Sequence, residues 1–343
     1  MEVSLIVYKR RFEISIKREI KRFLYKKRVL VTGGTGMIGR ELVKILLDNK
    51  CNVTSLSLDN LKIEKKVNYI KGDLSDFSLC KKVTKNKDIV FHIAGIKGSV
   101  EMVKKKPSRF FVPLLMMNTN ILEACRLNSV SNLVYTSSIG AYSSADIFIE
   151  GKGENIPPMD FFPGWAKRIA EYQIKSYKIQ HNIKKFSIVR PSNVYGIGDN
   201  FDEKTAMVIP SLISKIFKKQ NPVTIWGDGN SQRDFIHSVD VAVGILHACY
   251  YGTNSEPINL GSGEGVKIKD LIKKLNGCVN FNYKFDTKKP SGYPKRIMDM
   301  KKAYKIIKFK PQITLEVGLR DTVDWFSNNR KEYLNRKNYF SEK

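Results

Sequence analysis

Three glycines near the start of the chain have the spacing of a phosphate-binding loop. Gly33, Gly36 and Gly39 lie in the segment VTGGTGMIG, which follows a β-branched run and opens a helical pattern. Glycine at these positions permits a tight turn, a close approach of the backbone to a pyrophosphate, and close packing of helix on strand. The helix N-terminus adds free N–H groups and the positive end of its dipole. The segment therefore predicts a dinucleotide site.

An acidic residue follows at the distance that such a site requires. Asp59 ends the second predicted strand, about twenty residues beyond the glycines, where a carboxylate can accept hydrogen bonds from an adenosine ribose. No arginine follows directly to receive a 2′-phosphate, so we expect NAD, with NADP as the alternative that Lys62 and Lys65 leave open. Asp73 is either an adenine contact or a solvated acid. The other positions expected to contact the cofactor are Thr35, Met37, Ile38, Asn60, Leu74, Ala94, Gly95, Pro191 and Asn193.

Strand and helix patterns alternate over the first part of the chain and predict the elements that position these residues. The predicted strands are RVLVT, NVTSLSLD, VNYIKGD, DIVFHIAG, NLVYTSS, FSIVRPS and PINLGS, and the main predicted helices cover 111–127, 165–180, 239–250 and 315–326. Such alternation predicts an α/β fold with a Rossmann-type, doubly wound parallel sheet and a smaller C-terminal lobe. We expect an N-terminal extension (1–27), a nucleotide-binding domain (28–190 plus 236–262), a substrate lobe (191–235 plus 263–335) and a tail (336–343).

Charge and cysteine content exclude several classes of protein. The 343 residues carry 60 Lys and Arg against 33 Asp and Glu, a net charge of +27. This excess consists mostly of scattered lysine pairs without interleaved arginine and aromatic residues, so we expect no nucleic-acid partner, whose binding would depend steeply on salt. Five cysteines without a CxxC pair predict neither a disulfide framework nor a metal site. No apolar run is long enough to span a bilayer, and we expect a cytoplasmic protein.

The first 28 residues concentrate ten basic residues and an apolar stripe. Phe12, Ile16, Ile20, Phe23 and Leu24 have helical spacing, which predicts a helix with an apolar face opposite a Lys/Arg face. We favour packing of this face on the body of the protein or on a second subunit. Peripheral contact of residues 1–27 with an anionic membrane is the alternative.

Taken together, the motifs resemble the extended short-chain dehydrogenase/reductase family of nucleotide-sugar epimerases and dehydratases. Besides the glycine segment they are LDN, KGDL, VFHIAG, YTSS, GWAKRIAE and RPSNVYG, and the later segments VYGIGDNFD, MVIPSLI, WGDGNSQRDFIHSVD and KPSGYPKRIMD are most similar to GDP-fucose synthase-like members. The resemblance covers residues 28–326. It implies an NAD cofactor, a nucleotide-sugar substrate that is most often GDP-linked in that branch, a role in polysaccharide biosynthesis, and a homodimer.

The resemblance also implies roles for individual residues. Ser138 matches the hydroxyl that hydrogen-bonds a sugar oxygen during hydride transfer, and Lys167 matches the lysine that binds the nicotinamide ribose. Guanidinium groups suit a diphosphate because they form paired hydrogen bonds, although the two arginines concerned could instead form surface ion pairs. The positions that match the family's substrate contacts are Ser138, Asn193, Val208, Arg233 and Arg296.

One position departs from the family pattern where the chemistry needs it most. The catalytic tyrosine is expected four residues before Lys167, and this chain has Pro163 there. Hydride transfer at a carbinol requires a proton to leave or reach the same oxygen, and proline has no ionisable group. GDP-fucose synthase also has a cysteine and a histidine where Gly140 and Met207 stand here, which puts 3,5-epimerisation in doubt. Ile139 and Gly140 replace the Asp–Glu pair of the dehydratases, so we do not expect water elimination.

Four residues are candidates for the missing acid–base group: Tyr142, Lys167, Lys97 and His92. His92 lies within a predicted strand, where a packed imidazole is the expected role. We place Tyr142 with Ser138 and Lys167 as the candidate catalytic group. The sequence thus predicts an NAD-dependent nucleotide-sugar oxidoreductase or epimerase that works by hydride transfer at a ring carbon. The alternative is a catalytically impaired protein that binds NAD and a nucleotide sugar in a scaffold or regulatory role.

Overall fold

A computed structural model describes residues 12–96, 100–203 and 205–334. Its helices are α1 (Arg18–Leu24), α2 (Met37–Asp48), α3 (Phe77–Thr84), α4 (Val100–Lys105), α5 (Ser108–Leu127), α6 (Phe161–His181), α7 (Val208–Phe217), α8 (Ser238–Tyr251), α9 (Ile268–Asn276) and α10 (Leu315–Leu334). Its strands are β1 (Arg28–Thr32), β2 (Asn52–Ser57), β3 (Asn68–Lys71), β4 (Ile89–His92), β5 (Asn132–Thr136), β6 (Ile147–Phe148), β7 (Phe186–Pro191), β8 (Asn193–Tyr195), β9 (Val223–Trp226), β10 (Gln232–Arg233), β11 (Phe235–His237), β12 (Pro257–Leu260), β13 (Val266–Lys267), β14 (Tyr283–Asp286) and β15 (Lys295–Met298).

Seven parallel strands form the main sheet, in the order β12-β7-β5-β4-β1-β2-β3. The strand order reverses between β1 and β4, because the chain moves outward from β1 in one direction and then returns to start again at β4. In open α/β sheets a crevice forms at the carboxyl ends of the strands at such a switch point. The predicted doubly wound fold is confirmed.

Helices cover both faces of this sheet. Val29 and Val31 of β1 belong to a core that includes α2 and α8, whereas Leu30 belongs to a core that includes α3, α5 and α6. Successive side chains of a strand point to opposite faces, so one short apolar strand contributes to two cores. This double coverage explains why the predicted strands are nearly continuous apolar runs.

The smaller lobe contains a four-stranded sheet in the order β13-β10-β15-β6 and the helices α7, α9 and α10. Its core includes Ile213, Leu271 and Phe326. The segment Ile147–Phe148 falls within the predicted nucleotide-binding domain, but it pairs with β15 in this lobe. The lobe therefore draws one strand from a loop of the first domain.

The apolar stripe of the N-terminal segment packs on the protein itself. Ile20 and Leu24 of α1 are fully buried, and Ile16 joins the same core, which includes residues of α8. The helix is shorter than predicted, because residues 12–17 are not helical. Over these residues, the apolar face that the membrane alternative requires is buried within the protein. Residues 1–11 lie outside the described part of the chain. None of the described helices is both long and apolar enough to cross a bilayer.

Candidate active site

A cavity of about 1400 Å³ lies at the carboxyl ends of the strands, between the two lobes. Its wall includes Gly33 after β1, Ala94 after β4, Ser138 after β5, and Pro191 at the end of β7. Arg296 of β15 closes it from the smaller lobe. A site for one drug-sized ligand measures roughly 300–1,000 Å³. The cavity therefore has room for a dinucleotide and a second nucleotide ligand together.

The glycine loop has the close packing that the sequence predicts. Gly33 has a φ of +70°, and a Cβ atom there would lie 2.9 Å from the Cα of Ala94. A Cβ atom on Gly39 would lie 2.1 Å from the carbonyl oxygen of Gly33. Gly36 precedes α2 and supplies no side-chain cap for its N–H groups. The loop therefore fits a dinucleotide pyrophosphate, because its backbone can approach the phosphates and its helix N–H groups face them.

Two acidic side chains at the ends of β2 and β3 lie on the cavity wall. The Asp59 carboxylate accepts hydrogen bonds from the Thr35 hydroxyl and the Leu61 N–H, both at 3.1 Å. Asp73 accepts one from the Ser75 N–H at 2.9 Å. These bonds fix both carboxylates at the adenosine end of the predicted site.

Almost all the other predicted cofactor positions lie on the same wall. They are Thr35, Gly36, Met37, Ile38, Leu74, Ala94, Gly95, Lys167, Pro191 and Asn193. Asn60 is the exception, since it is exposed beside Asp59 and does not line the cavity.

Ser138 and Lys167 both line the cavity. Ser138 follows β5, and its Oγ accepts a hydrogen bond from the Gly140 N–H at 3.0 Å. Lys167 projects from α6 and donates its Nζ to the Thr136 carbonyl oxygen at 2.7 Å. Burial lowers the pKa of Lys167 to about 8, although Glu171 opposes the shift. The pair can orient a ribose and hold a reacting oxygen, as the resemblance implies.

The two arginines predicted to bind a diphosphate differ in position. Arg296 lines the cavity, and its buried Nε has no hydrogen-bond partner among the described residues. Arg233 pairs in register with Arg296, but it donates to the carbonyl oxygens of Gln232 and Tyr293, both at 2.7 Å. It does not line the cavity, which corrects our expectation of a direct contact. Burial and the neighbouring Arg296 lower the pKa of Arg233 to about 10.

The remaining substrate positions belong to the wall of the smaller lobe. Asn193 donates its side-chain amide to the Asp234 carbonyl oxygen at 2.8 Å. Val208 begins α7, as the resemblance implies for the helix beneath a nucleotide base. Backbone structure therefore fixes both positions on the cavity wall.

Tyr142 is not at the cavity, and our expectation that it acts as an acid or base is wrong. Its side chain is 3% exposed, and its hydroxyl donates to Asn259 Oδ1 at 2.7 Å. The Arg190 guanidinium lies 4.3 Å from the centre of its ring. Burial raises the pKa of Tyr142 well above that of an ordinary phenol. Tyr142 is a core residue.

His92 does not replace the tyrosine either. The His92 ring nitrogens lie 2.8 Å from Thr32 Oγ1 and 2.9 Å from Asn118 Oδ1, which agrees with the expected packing role. Burial lowers the pKa of His92 to about 3, so the ring is neutral at physiological pH. Lys97 lies outside the described residues.

Sequence reasoning missed Asp160, an ionisable residue of the wall that precedes α6. It lies three residues before Pro163, and both residues line the cavity together with Gly140. The sequence feature that could have identified Asp160 is its distance of less than one helical turn from Pro163, the position that lacks the tyrosine. The resemblance concerns positions 163 and 167 instead.

Comparison with known proteins assigns the chain to a family. The model of the NAD dependent epimerase/dehydratase family matches residues 29–261. The chain belongs to this family. A putative UDP-glucose 4-epimerase of Methanocaldococcus jannaschii is 33% identical to it over 317 residues, which cover 88% of this chain and 99% of that protein. The GDP-L-fucose synthase of Escherichia coli is 26% identical over 328 residues, with 90% and 99% covered.

A solved structure agrees with the epimerase/dehydratase assignment. The UDP-N-acetylglucosamine 4-epimerase from Methanobrevibacter ruminantium, in complex with UDP-N-acetylmuramic acid, superposes with a TM-score of 0.80 at 27% identity. The match covers 89% of this chain and 99% of that one. The recognition of an extended short-chain dehydrogenase/reductase is confirmed, and membership of this NAD-dependent family indicates a nicotinamide cofactor.

Proposed function

We propose that this protein oxidises or reduces a ring carbon of a nucleotide sugar by hydride transfer, with NAD as its cofactor. The observation that carries the proposal is the single cavity that joins the glycine loop, the Ser138–Lys167 pair and Arg296. A bound nicotinamide supplies the hydride acceptor or donor. The chain supplies the phosphate-binding backbone, a hydroxyl to hold the reacting oxygen, and a guanidinium for the diphosphate.

GDP-linked sugars are the first candidates for the substrate, and UDP-linked sugars are the second. The segments around Arg233 and Arg296 resemble those of GDP-fucose synthases, and the relative from Escherichia coli is one of these enzymes. The relative from Methanocaldococcus jannaschii is a putative UDP-glucose 4-epimerase. Gly140 and Met207 differ from the GDP-fucose synthase pattern, so 4-epimerisation, reduction of a keto sugar and simple oxidation are the candidate outcomes.

NAD is proposed over NADP because of the Asp59 carboxylate. It lies on the cavity wall after β2, where it can accept hydrogen bonds from ribose hydroxyls and would repel a 2′-phosphate. Asp59 is also held by the Thr35 hydroxyl and the Leu61 N–H, so it cannot easily turn away from a phosphate.

A second candidate function rests on Pro163. A chain that lost its proton-transfer group would bind NAD and a nucleotide sugar without turnover and serve as a scaffold or regulator. Incubation with a panel of GDP-, UDP- and dTDP-sugars separates the two functions. If the protein is an enzyme, one of these sugars should change the NADH absorbance and give a product of altered mass or stereochemistry. If it is a binding protein, calorimetry should detect binding, but neither the absorbance change nor the product should appear.

We also propose that the protein is a homodimer through the outer faces of α5 and α6. Val112 and Met116 of α5 and Ile169 and Tyr172 of α6 are exposed although they are large and apolar, and Ile179 is 84% exposed. These residues have helical spacing on two helices that pack side by side. Light scattering should show a dimer that becomes a monomer in the Met116→Arg/Ile169→Arg variant. A wild-type monomer would contradict this proposal.

A further inference from the structure

Asp160 and Gly140 are in direct contact at the cavity. A Cβ atom placed on Gly140 would lie 2.3 Å from Asp160 Oδ2 and 2.9 Å from Asp160 Cγ. The carboxyl group therefore occupies the space where any larger residue at position 140 would have its side chain. A glycine at this position is what allows the carboxylate to reach the wall.

Ser138 is hydrogen-bonded to the same glycine. Its Oγ accepts the Gly140 N–H at 3.0 Å, and this bond leaves the hydroxyl proton available for a ligand. Ser138, Gly140 and Asp160 all line the cavity. A sugar oxygen held by Ser138 would thus lie next to Gly140, and the Asp160 carboxylate packs against this glycine.

The Asp160 carboxylate is available for chemistry. None of the described residues donates a hydrogen bond to it, and α6 receives no side-chain cap from it. It is open to the cavity, although the surrounding protein removes enough water to raise its pKa. Arg296, from the opposite lobe, opposes that increase in pKa through its positive charge. Lys167 of α6 is another titratable group on the wall.

We propose that the Asp160 carboxylate accepts and returns the proton of the reacting sugar hydroxyl, in place of the side chain that Pro163 lacks. The inference rests on the proposed function. In the oxidising direction the C–H bond of the ring carbon breaks, and its electron pair leaves with the hydrogen as hydride to the nicotinamide. The O–H bond breaks, its proton passes to a carboxylate oxygen of Asp160, and the carbon–oxygen bond becomes a carbonyl. In the reducing direction the carboxyl group returns the proton.

Tyr142 and Lys167 are poorer candidates on geometric grounds. The Tyr142 hydroxyl is buried against Asn259, away from the wall. Lys167 Nζ donates to the Thr136 carbonyl, and its role in the family is to bind the ribose. Asp160 is the carboxylate that lies against the Ser138–Gly140 turn. The proposal places the proton-transfer group three residues before position 163, on the wall of the same cavity.

The test compares wild type with Asp160→Asn, which keeps the shape but cannot accept the proton, and with Asp160→Glu, which restores the carboxylate. Asp146→Asn is the matched control, because Asp146 is an exposed acid outside the cavity. Single-turnover oxidation of the best sugar nucleotide is measured against pH. Calorimetry measures the affinities for NAD and the sugar nucleotide, and difference infrared spectroscopy follows the titration of the carboxyl band.

We expect Asp160→Asn to lose on the order of 10²–10⁴-fold in hydride transfer, with both affinities within about threefold of wild type. In Asp160→Asn the fall in rate toward acid pH and one titrating carboxyl band of the infrared spectrum should disappear. Asp160→Glu should recover part of the rate. Hydride transfer in Asp160→Asn within twofold of wild type, or an unchanged acid limb and carboxyl band, would overturn the assignment. A wild type that binds but never turns over would instead defeat the proposed function.

Discussion

The two ends of the cavity are built by different means. At the cofactor end, the backbone of the glycine loop and the start of α2 form the surface, and a Cβ atom at Gly39 has no space. At the catalytic end, the wall is formed by side chains that follow β5 or belong to α6 and β15, and Pro163 stands where the resemblance implies a tyrosine. Backbone recognition ties a function to fixed positions in the sequence. Side-chain chemistry needs only that some residue reach the same point in space.

The largest effect on cofactor binding is expected from a methyl group at the cofactor end. Gly39→Ala places a Cβ atom 2.1 Å from the Gly33 carbonyl oxygen, so the loop must move away from the phosphates. We expect NAD affinity to fall by at least about 100-fold, as measured by calorimetry. Gly277→Ala is the control, because a Cβ atom there makes only ordinary contacts. Unchanged NAD binding in Gly39→Ala would break the claim that the backbone forms this end.

The next effect concerns the two side chains at the catalytic end that match the family. Lys167→Met and Ser138→Ala should each lower turnover on the order of 10²–10⁴-fold, because the lysine orients the ribose and the serine holds the reacting oxygen. Lys152→Met changes an exposed lysine and should leave turnover unaffected. Steady-state kinetics on the best panel substrate checks the three variants. Wild-type activity in either site variant would remove that residue from the site.

The pH dependence of turnover should have two limbs, an alkaline limb from Lys167 and an acid limb from Asp160. The pKa of Lys167 is lowered to about 8, so its positive charge is lost as pH rises through that value. The pKa of Asp160 is raised, so its carboxylate is lost as pH falls through a value above that of an ordinary aspartate. We expect a bell-shaped profile of turnover whose alkaline limb lies near pH 8. A rate that keeps rising above pH 9 would show that the lysine charge is not needed.

A smaller effect is expected at the adenosine ribose. Asp59→Ala removes the repulsion of a 2′-phosphate and the hydrogen bonds to the ribose, so the preference for NAD over NADP should narrow by about tenfold. Competition binding of the two cofactors measures the ratio. The exposed acid Asp48 provides the control Asp48→Ala. Tighter binding of NADP than NAD by the unmodified protein would contradict the assignment outright.

The fold and the cofactor end were predictable because their signals are local. Strand and helix patterns gave β1, β7 and the extent of α8 to within two residues, since continuous apolar runs are typical of doubly covered parallel strands. The glycine spacing located the loop because only glycine avoids the contacts at Gly33 and Gly39.

The catalytic end was harder to predict because it depends on which side chains tertiary packing brings to the wall. Tyr142 is near Ser138 in sequence but points into the core, where Asn259 and Arg190 surround it. Asp160 was passed over because its contact with Gly140 joins two segments twenty residues apart, a relation that no spacing rule encodes. Arg233 carries a matching motif, yet local carbonyl groups hold its guanidinium.

The most direct test of whether the catalytic end works as it stands is single-turnover reduction of bound NAD⁺ in wild type and in Pro163→Tyr. The account predicts measurable hydride transfer in wild type and a change of less than about fivefold in the variant, because another group already moves the proton and the proline-shaped backbone need not aim a phenol correctly. A barely active wild type with a gain approaching 10²-fold or more in Pro163→Tyr would show that the site is impaired, and would contradict the account.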